Sequence, residues 1–209
     1  MGVTTANVTQ VKQTDRAVET ARFDGSLVIR FAQPGIRNPL SVSVLLELDS
    51  ILDALADRDK VIFTGTEDVF ASGANLREIA SVDASHAREF ALRGQDLMTR
   101  IAALPQETVA AINGYCFGGA LDLALACDRR IASPNATFAH PGASLGIITG
   151  WGGTQRLPRL IGTANALEIF FTASPMNAER ALAIGLIDSI ADDPLSTALS
   201  GSHEPRLLL

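Results

Sequence analysis

Apolar residues gather in three short continuous runs, "SLVIRF" (26–31), "KVIFTG" (60–65) and "TVAAIN" (108–113), and each predicts a buried strand. Between the runs the spacing changes. "PLSVSVLLELDSILDALADR" and "DASHAREFALRGQDLMTRIAAL" repeat apolar residues at helical intervals, the second after Asp83, which is placed as an N-cap. Alternating strand and helix predicts an α/β layer arrangement in which helices cover a sheet. No repeat of fixed period and no low-complexity linker divides the chain before about residue 160. Beyond it, "NALEIFFTAS" and "MNAERALAIG" read as short helices, "LIDSIAD" as a candidate strand, and "DPLSTALSGSHEPRLLL" as a loosely held end.

Composition narrows the class. A chain of 209 residues, 47% apolar and 5% aromatic, buries a substantial core and reads as one globular domain. Its organisation reads as an N-terminal tail over 1–20, a core over 20–160 and a short helical region over 161–209. The net charge of −6 and a pI near 5.0 argue against nucleic acid or an anionic membrane as partner, since no basic stripe offsets the acidic balance. Cys116 and Cys127 lie in apolar surroundings without zinc-site spacing, which predicts buried free thiols in a reducing compartment. "MGVTTANVTQVKQTDR" lacks the apolar core of a signal peptide, and Ala6 stands where a myristoylation signal needs Ser or Thr. Residues 131–155 lack Asp, Glu, Lys and Arg, yet their prolines and glycines do not suit a membrane span. A cytoplasmic location is the expectation.

The chemistry concentrates after the second and third strands. "NGYCFGGALDLALACD" sets Gly118 and Gly119 at a turn that opens a helix, where unpaired backbone N–H groups favour negative charge. The same glycines would also serve close packing of strand on helix. A second small-residue loop, "FASGANL" (70–76), follows "KVIFTG". Loops leaving parallel strands on the same side of a sheet bring two backbone donors together. An oxyanion held between them would gain roughly 3 kcal/mol per donor.

The blocks "ASGANL", "NGYCFGGALDLALACDRRIAS" and "FAHPGASLGIITGWGGTQRLPRLIG" are similar to the enoyl-CoA hydratase/isomerase (crotonase) superfamily, over about residues 20–190. The resemblance implies a spiral of ββα units that binds acyl-CoA or enoyl-CoA thioesters, usually as a homotrimer or a dimer of trimers. Coenzyme A enters only as part of the substrate; no metal or other cofactor is implied. The thioester carbonyl would sit between the N–H groups of Ala74 and Gly119, with Ala71, Gly73, Asn75, Leu76, Gly118, Gly142 and Trp151 around the substrate. Arg37, Arg77 and Arg156 are candidates for the CoA phosphates, because guanidinium groups bind phosphate oxygens in pairs. Further C-terminal helices are usual in the family, so a short, truncated helical C-terminal region is expected here.

The chain also departs from that pattern. Hydratases of the family carry two glutamates; Asp122 stands at the first position and Gly142 at the second. A later acid used by some relatives falls on Gly150. Asp is one methylene shorter than Glu, about 1.3 Å of reach, and a misplacement of about 1 Å costs on the order of a hundredfold in rate. Weak hydration is therefore expected, with Gly142→Glu restoring part of it. Between Thr108 and Gln155 the charged side chains are Asp122, Asp128, Arg129 and Arg130 alone, which favours Asp122 as a site carboxylate over an exposed helix-start charge. His140 reads as a polar loop histidine, His86 and Glu89 as solvated helix positions, and Trp151 as either pocket wall or core. The expected protein is an enoyl-CoA hydratase/isomerase-type enzyme of fatty-acyl-CoA metabolism, with Asp122 as acid/base. The alternative is a non-catalytic acyl-CoA binding protein that lost its acid/base pair. A purely structural oligomerisation protein leaves the two glycine loops unexplained.

Overall fold

The computed structural model describes residues 16–23, 25–56 and 60–201. The expected tail therefore lies outside the described residues up to residue 15, as does the segment "SHEPRLLL" over 202–209. The first element already begins at Val18, with β1 (Val18–Phe23) turning back into β2 (Ser26–Phe31) as an antiparallel pair. Next come β3 (Pro39–Leu40) and α1 (Val42–Asp53).

From there the chain winds. Each turn adds one strand to a first sheet, one to a second sheet, then helix. The first turn is β4 (Lys60–Thr64), β5 (Val69–Ala71) and the two-residue β6 (Gly73–Ala74), followed by α2 (Leu76–Ser81) and α3 (Ala87–Ala102). The second is β7 (Thr108–Ile112), β8 (Tyr115–Phe117) and α4 (Gly119–Ala126). The third is β9 (Arg129–Ala132), β10 (Thr137–Ala139) and α5 (Gly153–Ile161). The chain continues through α6 (Thr163–Thr172), β11 (Met176–Asn177), α7 (Ala178–Ala183), β12 (Ser189–Ile190) and α8 (Pro194–Ser200).

The three sequence-predicted strands are neighbours in the first sheet, whose order is β1-β2-β4-β7-β9-β12 and whose β2, β4, β7 and β9 run parallel. Their continuous apolar runs follow from burial on both faces, as parallel sheets require. Val61, Ile62 and Phe63 are completely buried, although successive side chains point to opposite faces. One face packs against α1, α3 and α4 in the main core. On the other, Val28, Ile62, Val109 and Ile131 meet Leu195, Ala198 and Leu199.

That second face explains why residues 194–200 are ordered where the sequence suggests a loose end. Asp193 caps the helix by accepting from Ser196 N–H at 2.9 Å. Lys60 Nζ reaches its C-terminal carbonyls, donating to Ala198 O at 3.0 Å and Gly201 O at 2.7 Å. The second sheet, β11-β10-β8-β5, is built of strands of two or three residues, too short for periodicity to reveal. Both cysteines are buried and free. Among the described residues no helix is long and apolar enough to cross a membrane.

Candidate active site

The two glycine loops leave β5 and β8, adjacent parallel strands of the second sheet, and not the first-sheet strands from which sequence spacing suggested them. Their approach depends on missing side chains. Gly73 has φ +85°, and a Cβ there would stand 2.5 Å from Gly119 N and 2.6 Å from Phe117 O. A Cβ on Gly119 would in turn lie 3.2 Å from Ala74 N and collide with the Trp151 ring. Gly119 is the first residue of α4, so its N–H has no helical acceptor. The loop carrying Ala74 is held from below: Asn38 Nδ2 donates to Val69 O and Phe70 O at 3.0 and 3.1 Å, and Ser72 N–H donates to Arg37 O at 2.9 Å.

Ala74 and Gly119 open onto a cavity of about 250 Å³. Leu76, Gly118, Gly142 and Trp151 line it too, with Ile79 and Phe90 on one side and Leu145, Ile147 and Ile148 on the other. Trp151 is both wall and core: it touches the cavity, is 3% exposed, and has its ring wedged where a Cβ on either Gly94 or Gly119 would strike it. Ala71 and Gly73 lie behind the loop, fully or largely buried, and Asn75 caps α2 by accepting from Arg77 N–H at 3.0 Å.

Asp122 has no exposed surface and does not line the cavity. Its Oδ2 accepts a short hydrogen bond from the Thr149 hydroxyl. Its Oδ1 lies 3.5 Å from His140 Nε2, yet among the described residues Oδ1 and both His140 ring nitrogens have no hydrogen-bond partner. Burial drives the Asp122 carboxyl up to about 7, against the Thr149 hydroxyl, the Arg156 charge and the Trp151 and Gly153 amides, all of which favour the ionised form. Burial also pushes the His140 imidazole down to about 4, so at neutral pH it is uncharged and the 3.5 Å approach is not an ion pair.

Asp128, six residues on in the same charge-poor stretch, shows the ordinary structural alternative. Its Oδ2 accepts from both Thr108 N–H and Thr108 Oγ1–H, each at 2.9 Å.

Sequence reasoning treated His140 as a polar loop residue. Instead it is buried, packs on Phe170 at 5.1 Å and lines the cavity together with Thr149. Thr149 and Asn38 were missed altogether; the first is a lone hydroxyl in an apolar loop, the second an Asn before Pro, a turn signal. His86 and Glu89 are exposed, bound to Asp83 and Arg93 respectively, and Phe90 and Ala91 carry the cavity-facing side of α3. Of the candidate phosphate-binding arginines, Arg37 lies over the Tyr115 ring at 5.1 Å, Arg77 is exposed on α2, and Arg156 donates to Trp151 O at 3.3 Å.

Gly142 bears on the missing glutamate. A Cβ there would stand 2.5 Å from the Ile147 carbonyl oxygen, part of the turn in which Ile147 N–H donates to Gly142 O at 3.0 Å. A side chain at this position requires that turn to move.

Comparison with known proteins agrees with this architecture. The chain is 40% identical over 167 residues to a crotonyl-CoA hydratase of Syntrophomonas wolfei subsp. wolfei, covering 78% of this chain and 64% of the relative. It is 42% identical over 160 residues to a probable enoyl-CoA hydratase of Bacillus subtilis, covering 75% of this chain and 62% of that protein. It thus spans less than two thirds of the length of these curated relatives. The crystal structure of an enoyl-CoA hydratase from Bacillus anthracis superimposes with a TM-score of 0.81 at 34% identity, covering 88% of this chain and 72% of the other. With residues 22–199 matching the family described as Enoyl-CoA hydratase/isomerase, and with ββα turns carrying both glycine loops to one cavity, the chain belongs to the enoyl-CoA hydratase/isomerase (crotonase) family.

Proposed function

We propose that the protein binds an acyl-CoA or enoyl-CoA thioester with its carbonyl oxygen between the N–H groups of Ala74 and Gly119, and performs hydratase/isomerase-type proton transfer on it. One observation carries this reading: two loops from adjacent strands bring those main-chain nitrogens to one cavity, at a spacing that admits no Cβ on Gly73. Donors fixed in a dry site stabilise an enolate oxygen without reorganising, which is the largest single contribution to this type of chemistry. A volume of about 250 Å³ suits a short acyl chain, with the CoA moiety outside.

Hydration is expected to be slow, since Asp122 is the sole carboxylate at the family's acid/base positions and Gly142 leaves the other empty. The alternative of a non-catalytic acyl-CoA binding protein is favoured by one feature, the absence of Asp122 from the cavity wall. Trimeric assembly remains part of the proposal; exposed Phe171, Ile148 and Leu160 offer apolar surface for it. Titration calorimetry with short-, medium- and long-chain CoA thioesters tests the reading. Heat of binding that favours the short chains is expected, and no binding at millimolar ligand would overturn it.

A further inference from the structure

We propose that the His140 imidazole, not the Asp122 carboxylate, exchanges protons with the substrate, through Nδ1, the ring nitrogen that does not face Asp122. Asp122 then acts as its buried positioning partner, and Thr149 orients Asp122. The inference rests on the thioester reading above and adds to it a catalytic residue.

The placement is specific. His140 lines the same cavity as Ala74 and Gly119, whereas Asp122 has no surface there. The Thr149 hydroxyl fixes Oδ2, and Oδ1 lies against the Gly153 backbone with His140 Nε2 3.5 Å away. Three buried polar atoms in one cluster, Asp122 Oδ1 and both ring nitrogens of His140, have no partner among the described residues. Buried polar groups are ordinarily hydrogen-bonded, so a polar occupant, such as the substrate's attacking water, is needed to complete the cluster. The other groups facing Asp122 are Arg156 from α5, whose charge favours the carboxylate, and the Cys116 thiol from β8, which burial keeps protonated. From α6 His140 meets the apolar Phe170 ring.

The step balances with one proton in motion. With Nε2–H turned toward Asp122, neutral His140 accepts a proton at Nδ1 from water as the water oxygen bonds to Cβ. The π pair of Cα=Cβ moves toward the carbonyl, and the enolate oxygen rests on the Ala74 and Gly119 N–H groups. The imidazolium, opposite the ionised Asp122, then returns that proton to Cα as the thioester C=O re-forms. Water's other proton stays on the new hydroxyl, and nothing is oxidised or reduced.

The test is exchange of the α-protons of butyryl-CoA in D₂O, followed by NMR, because it needs the oxyanion site and one base but no added water. Wild type is expected to exchange. His140→Gln should lower the rate by about 100-fold or more, while butyryl-CoA binding changes by less than about threefold. Thr149→Val should lower the rate by roughly tenfold. The wild-type rate should rise with pH through about 7, where Asp122 ionises and its charge can stabilise the imidazolium, and Asp122→Asn should remove that rise. A purely structural Asp122 would leave that rise in place when replaced by Asn, and that result overturns the proposal even if His140→Gln fails to fold. Exchange by His140→Gln within about threefold of wild type overturns it too, as does a wild type that binds butyryl-CoA without exchange. Failure of wild type to bind butyryl-CoA would instead remove the thioester reading, so the two failures are distinguishable.

Discussion

The two ends of the cavity are built by different means. At one end Ala74 and Gly119 present main-chain N–H groups whose positions are set by close packing: Gly73 against Phe117 O, Gly119 against Trp151, Asn38 under β5. At the other end His140, Asp122 and Thr149 are side chains in an apolar setting, with three buried polar atoms unpartnered among the described residues. Leaving a buried polar group unsatisfied costs about 1–3 kcal/mol. The backbone end is therefore positioned by main-chain packing, while the side-chain end is completed by an occupant. It follows that binding and proton transfer should separate under mutation.

The sharpest break of that comparison is Gly119→Pro. It deletes one of the two donors and drives ring atoms toward Trp151, so thioester affinity should fall by at least about a hundredfold, on the scale of about 3 kcal/mol for one such donor. Calorimetry against wild type measures this. Retained affinity would mean that the carbonyl is not held there.

The side-chain end should reveal itself in the pH dependence of stability. The Asp122 carboxyl is raised from 3.8 to about 7, so the folded state holds a proton that the unfolded state has lost, and stability falls as pH rises through that window. His140 is lowered from 6.5 to about 4, so there the unfolded state holds the extra proton and stability rises between those values. The ceilings are about 4 and about 3 kcal/mol at 1.36 kcal/mol per unit, and in wild type the two slopes oppose each other. Urea midpoints from pH 4 to 7 should therefore fall with pH in His140→Gln and rise in Asp122→Asn. Parallel profiles in all three proteins would show that the pair is not buried together.

Gly142→Glu is next in size. The sequence alone suggests that it restores hydration; the 2.5 Å approach of a Cβ to Ile147 O instead predicts a loss of about 1–3 kcal/mol of stability through overpacking, with no gain in crotonyl-CoA turnover. A rise in turnover at unchanged urea midpoint would show that the 146–148 turn yields readily. Smallest is Glu89→Ala, which breaks the exposed 2.9 Å pair with Arg93 on α3. It should change stability by no more than about 0.5 kcal/mol and leave thioester binding unaltered.

Much of the backbone end is legible in the sequence, because glycines at fixed places after apolar runs are a constraint on the chain itself. "ASGANL" and "FGGALD" mark where no side chain fits, and the three apolar runs mark the parallel strands beneath. The second sheet is not legible, since Val69–Ala71 and Tyr115–Phe117 are too short to show a period. Nor is the side-chain end. Whether His140 faces solvent or a cavity depends on Phe170, thirty residues on, and on the turn over Pro141–Leu145, neither of which local patterning encodes. Asp122 illustrates the limit: its isolation among apolar residues predicts burial, but its orientation toward Thr149 and His140 is set by long-range packing.

The central claim is that a thioester carbonyl is polarised between two main-chain N–H groups. Infrared difference spectroscopy of crotonyl-CoA labelled with ¹³C at that carbonyl observes the bond itself. Bound to the wild-type protein, its C=O stretch should move to lower frequency than in water, and with Gly119→Pro at saturating ligand that displacement should shrink. A carbonyl that binds with its stretch at the aqueous frequency, or a displacement that Gly119→Pro leaves intact, would contradict the account.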